Sequence, residues 1–127
     1  MDRKILIAGT LFGMTSVILG AFGAHALKEI LAPEQLATFE TGVRYQMYHA
    51  VLLLFVGMYS GISEKTKKTV IWLVTVGIIF FCGSIYLLAT GIATDFNKII
   101  GPVTPVGGLL LIIGWFVLLL HFFRRKS

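Results

Sequence analysis

The stretch from Val70 to Ala89 reads VIWLVTVGIIFFCGSIYLLA and contains no charged side chain. At 1.5 Å of rise per residue it reaches about 30 Å as helix, the thickness of a bilayer's hydrocarbon layer. Working outward, Ile5 to Ala24, Tyr45 to Ile62 and Val106 to Phe123 are apolar runs of similar length, again uncharged. Helix satisfies every backbone N–H and C=O of such a segment where there is no water to do so. The expected fold class is therefore all-α, an integral membrane four-helix bundle. It forms one domain over residues 1–127, with helices over roughly 5–26, 43–62, 70–90 and 105–123.

Composition points the same way. Mean hydropathy is +0.89, with 57% hydrophobic and 13% charged residues, where a soluble domain has about a quarter of its residues charged. Helices and short connections take up nearly all of the 127 residues, so no separate soluble catalytic domain fits. The single cysteine, Cys82, excludes an intramolecular disulfide and a thiolate metal site built from one chain. The net charge of +5 sits at helix ends rather than along an exposed stripe, which argues against nucleic acid as a partner. Arg3, Lys4, the apolar stretch after them and Ala24-His25-Ala26 imitate a secretory signal with its cleavage site. That run is longer than a signal core, is rich in glycine and precedes three more runs, so it is read as a retained first helix.

Basic residues decide the expected orientation. Arg3, Lys4, Lys65, Lys67, Lys68, Arg124, Arg125 and Lys126 lie at the two termini and in the connection between the second and third runs. The other two connections hold only Lys28, Arg44 and Lys98. Positive charge is retained inside during insertion, which places both termini in the cytoplasm.

Small residues at Gly9, Gly13, Ser16, Gly20 and Gly23 recur every three or four positions and so share one face of the first helix. Such a face suits close packing within the chain, or a homo-oligomer seam. Ahead of the second run, Pro33 fits the first turn of a helix that extends it, with a change of direction expected at Gly42. In the fourth, Thr104 is expected to cap the helix and Pro105 to occupy its first position.

The polar residues that a membrane should exclude gather toward the outer ends of the runs. His25, Glu40, Arg44, Tyr45, Tyr48, His49 and Tyr86 form the candidate cluster, drawn from three helices and expected at similar depth. Tyr45 and His49 are four apart, as are Glu40 and Arg44, so each pair shares a face. Arg44 is expected to bond Glu40, Asp95 or loop carbonyls. Tyrosine favours the interface for purely physical reasons, and for His25 and His49 an interhelical hydrogen bond is expected ahead of a metal or haem site or a proton-handling pair built from both imidazoles. With two histidines and no closely spaced ligand motif, no metal or other cofactor is expected. The second and fourth helices both begin on the outer side, so their positive ends flank Arg44 and favour an anionic ligand there.

Four segments carry a resemblance: Gly20-Ala21-Phe22-Gly23-Ala24-His25-Ala26-Leu27, Phe39-Glu40-Thr41-Gly42-Val43-Arg44-Tyr45-Gln46-Met47-Tyr48-His49-Ala50, Gly83-Ser84-Ile85-Tyr86, and Gly101-Pro102-Val103-Thr104-Pro105-Val106-Gly107-Gly108. In order and spacing the chain resembles the domain-of-unknown-function 423 family, small bacterial inner-membrane proteins with eukaryotic relatives. The resemblance implies a four-helix integral membrane protein of the inner membrane and supplies no catalytic residue.

The expected function is noncatalytic: binding of a lipid-like or small anionic ligand, or support of membrane integrity through a partner. An oligomeric transporter or channel is the alternative, although the inner halves of the runs lack the ionisable residues that an ion path uses. A membrane-embedded enzyme ranks third, since no nucleophile motif or ligand set specifies a chemistry. The expected partners are membrane lipids and a second copy of the chain.

Overall fold

The computed structural model describes residues 2–92 and 94–124. Four long helices account for most of them: α1 (Asp2–His25), α2 (Pro33–Met58), α3 (Glu64–Thr90) and α4 (Asn97–Arg124). Short 3-10 turns at Leu27–Glu29 and Thr94–Phe96 lie in the first and last connections. Among the described residues there is no strand.

Local chemistry sets the ends. α2 opens on Pro33, and Gln35 turns back to accept the N–H of Ala32 at 2.9 Å, so a donor without a helical partner is satisfied. α3 is capped by Ser63, whose hydroxyl accepts the N–H of Thr66 at 3.2 Å. It stops at Gly91, with φ of 70°, a left-handed conformation that glycine adopts without steric cost.

Two expected details are corrected. α2 runs unbroken through Gly42, and the small residue there makes room for Tyr86, whose ring lies 2.7 Å from where a β-carbon would stand. α4 begins at Asn97 rather than at Pro105, so Pro102 and Pro105 lie inside it. Each proline removes one bond from the helical ladder. Thr104 does not cap the helix; its hydroxyl lies 2.5 Å from that of Ser84 on α3.

Three stretches are long and apolar enough to cross a membrane: α1 with the turn after it, α3, and α4 with the turn before it. α2 falls short of that measure because Arg44, Gln46 and His49 interrupt its apolar residues.

The helices pack in sequence order, α1 on α2, α2 on α3 and α3 on α4, while α1 and α4 form no extensive contact. Ile5, Leu53, Val56, Val70, Val74 and Cys82 form a core with almost no exposure. A smaller cluster at the other end centres on Leu27, Phe39 and Ala89. Glycines set the spacing: a methyl group on Gly107 would run into the backbone of Phe80 and Phe81, and one on Gly77 would meet Leu111 at 2.7 Å. The small-residue face of α1 is likewise used within the chain, with Gly9, Gly13, Gly20 and Gly23 all against α2.

Candidate ligand-binding site

Antiparallel packing of α1 on α2 fixes the depth of each polar residue. Gly23 lies against Phe39, Gly20 against Val43, Gly13 against Ala50 and Gly57 against Leu6. His49 is therefore level with the middle of α1, while His25 stands at its end, about 16 Å away along the helix axis at 1.5 Å per residue. The structure does not bring the two imidazoles together. His25 is exposed, and its Nδ1 contacts only the carbonyl of Ala21 on its own helix, at 2.9 Å.

Glu40 and Arg44 are also exposed, and among the described residues no ion pair joins them. Arg44 Nη2 donates instead to Thr41 Oγ1 at 3.3 Å, a long bond that leaves most of the guanidinium's N–H groups free.

The buried polar residues of α2, Gln46 and His49, each anchor a hydrogen-bonded link. In the first, Gln46 joins three helices: its Nε2 donates to Phe12 O at 2.9 Å and to Thr15 Oγ1 at 2.7 Å on α1, while its Oε1 accepts the Tyr86 hydroxyl of α3 at 2.7 Å. Ser16 strengthens the same seam by donating to Val43 O at 2.9 Å. In the second, the Trp115 indole N–H of α4 donates to His49 Nε2 at 3.0 Å. Since that nitrogen accepts, the proton sits on Nδ1, which donates to Tyr45 O at 2.6 Å. Both ring nitrogens of His49 are thus occupied within the protein.

Aromatic rings fill the space beside this link. Tyr45 lies 5.7 Å from Tyr48, 5.2 Å from Phe81 and 6.4 Å from His49, ring centre to ring centre. Of the residues singled out from the sequence, Tyr45 meets both Tyr48 and His49, Tyr86 joins Gln46, and His25, Glu40 and Arg44 stay on the surface. Gln46 and Trp115 were not among the sequence candidates. The available signal was a primary amide and an indole N–H inside apolar runs, each needing a partner where water is absent.

Beside the His49–Trp115 link runs a groove between α2 and α4. Its walls include Tyr48, Val51 and Phe55 of α2 and Trp115, Leu119 and Phe122 of α4, and its upper part continues past Tyr45 and His49. The rings of Phe55 and Phe122, 6.5 Å apart and tilted to each other by 52°, lie at its lower end. Arg44, Tyr48, Val51 and Phe55 repeat every three or four residues, so the free guanidinium stands one turn above the groove on the same stripe of α2.

The protein family described as protein of unknown function, DUF423, matches residues 19–108. Named relatives extend the likeness to nearly the whole chain. A UPF0382 membrane protein of Staphylococcus saprophyticus is 43% identical over 122 residues, covering 96% of this chain and 98% of the relative. One from Staphylococcus haemolyticus is 42% identical, and one from a bovine strain of Staphylococcus aureus is 41% identical, each covering 96% of this chain and 97% of its own. No solved structure matches.

Proposed function

The chain belongs to the DUF423 family of proteins of unknown function, and we propose that it is a noncatalytic membrane protein that holds an anionic lipid in the groove between α2 and α4. The observation that carries this reading is the alignment of Arg44, free of any carboxylate among the described residues, with the apolar groove beneath it. A phosphate at Arg44 gains charge-assisted hydrogen bonds. An acyl chain below it covers Tyr48, Val51, Phe55 and Leu119, which are exposed at the surface of the isolated chain. In a bilayer the medium beside such a groove is hydrocarbon, so a lipid tail is its natural occupant.

The chain is assigned to four passes across a bacterial inner membrane with both termini cytoplasmic, from the excess of lysine and arginine at the ends that would face inward. The fully paired Gln46 and His49 links support a closed, holding role for the centre of the molecule rather than a catalytic one.

Trp115 lines the groove and supplies the readout. In a Trp72→Phe background it is the only tryptophan, and quenching by phosphatidylglycerol brominated on its acyl chains reports occupancy. Arg44→Gln should weaken the apparent affinity about fivefold, the worth of roughly one basic residue at an anionic surface. Affinity that is the same with glutamine at position 44 would refute the site.

A further inference from the structure

Several helical threonines in this chain share a habit. Thr10, Thr38, Thr41, Thr69 and Thr90 each donate to the carbonyl four residues earlier. Thr75 departs from it: its Oγ1 is enclosed and is the one buried side-chain polar atom among the described residues with no hydrogen-bond partner. A buried hydroxyl left unpaired is costly, and such groups are few in folded proteins.

Thr75 lines a crevice between α1 and α3 of about 430 Å³, together with Ala8, Ile71 and Trp72, and with Lys4 and Lys68 at the end nearest the helix starts. α1 and α3 do not pack extensively along their lengths, which leaves the crevice open. Close by, the buried Lys67 ties them together through Asp2 at 3.0 Å. Lys68, Trp72 and Thr75 lie on one stripe of α3 at spacings of four and three, and Lys4 and Ala8 lie one turn apart on α1. Lys4 and Lys68 are exposed, and among the described residues neither has a carboxylate at ion-pair distance. Of the acidic groups at this end, Asp2 is engaged by Lys67 and Glu64 is exposed.

We propose that this crevice binds an anionic glycerophospholipid, with its phosphate between Lys4 and Lys68 and an ester carbonyl accepting a hydrogen bond from Thr75. The site is separate from the α2–α4 groove and does not depend on it. Two ammonium groups with no carboxylate at ion-pair distance among the described residues favour a net negative headgroup, and the indole of Trp72 suits the headgroup level. About 10 Å of helix separates Lys68 from Thr75, so the lysine stems must lie along the crevice toward Thr75 for a phosphate and its ester carbonyl to span the two. A hydrogen bond to the lipid requires the enclosed hydroxyl to turn toward the crevice that Thr75 lines, by a step between staggered χ1 rotamers. A free fatty acid would satisfy the lysines but bring no carbonyl to the threonine. A zwitterionic lipid would bring the carbonyl without the charge.

The experiment reads the part of the tryptophan quenching that Trp72→Phe removes, which separates this crevice from the groove reported by Trp115. The protein in phosphatidylcholine nanodiscs is titrated with brominated phosphatidylglycerol and, separately, with brominated phosphatidylcholine. The anionic lipid should bind more tightly, by about fivefold for each lysine engaged, and Lys4→Gln with Lys68→Gln should erase the difference. Unlabelled diester phosphatidylglycerol should displace the probe better than its diether analogue, and Thr75→Val should remove that distinction while keeping the anionic preference. Equal binding of the two headgroups by the wild-type protein, or a preference that survives the double lysine change, overturns the proposal. Equal displacement by ester and ether lipids, or displacement by inorganic phosphate alone, does so too, the latter by giving the crevice to a soluble anion.

Discussion

Gln46 lies two residues beyond Arg44 and three before His49, in the most polar part of α2, yet it is 4% exposed. Its amide is the point at which α1, α2 and α3 meet. Gln46→Leu removes three hydrogen bonds and strands the Tyr86 hydroxyl, whereas Tyr86→Phe removes one bond and strands only half of the amide. The first change should lower stability by about 1–3 kcal/mol. The second should cost about 0.6 kcal/mol, the average for an interhelical bond in a membrane protein. Thermal unfolding in one detergent checks the ranking, and equal losses would show that the network is not centred on Gln46. From the sequence, Tyr86 and His49 were legible as polar groups in apolar runs. Gln46 was not, because its importance lies in the register of three helices, and a single periodicity reports one helix at a time.

At the level of the helices, glycine marks where the helices touch and where they do not. Gly107 sits against the backbone of Phe80 and Phe81, which cannot yield as a side chain would, whereas Gly83 has nothing within 4 Å of a built β-carbon. Gly107→Ala should therefore push α4 off α3 and lower the unfolding temperature. Gly83→Ala should be neutral or stabilising by up to about 1 kcal/mol, since alanine favours helix. Parallel melting curves decide it, and similar effects from the two changes would contradict the packing of α3 on α4. The number of helices was plain from the four uncharged runs. Their ends were less so: Pro105 read as a start signal, but the helix begins earlier, at Asn97, and runs through both Pro102 and Pro105. Proline at a first turn and proline tolerated inside an apolar helix look alike in sequence, and the contact of Thr104 with Ser84 that accompanies the second case is long-range.

Taken whole, the molecule is a row of helices with its first and last members apart, so it offers a crevice beside α1 and another beside α4. The sequence carried the membrane class through hydropathy, and the asymmetry of basic residues gave an expected orientation. It did not carry the separation of His25 from His49, because depth in the bundle depends on how far α1 slides along α2, which the glycine contacts fix. Orientation is open to direct measurement. Ser60 and Thr94 are exposed in connections at opposite ends of α3. In intact cells an impermeant maleimide should label Thr94→Cys, and should label Ser60→Cys only after permeabilisation; the reverse pattern would invert the topology. The contact between Asp2 and the buried Lys67 also bears on biosynthesis, because its partners lie 65 residues apart. At about 5–20 residues per second, a ribosome finishes the second several seconds after the first. During that interval the nascent α1 and α2 have only each other, and the glycine-lined seam between them must hold the pair until the third helix arrives with the lysine that fastens the beginning of the chain.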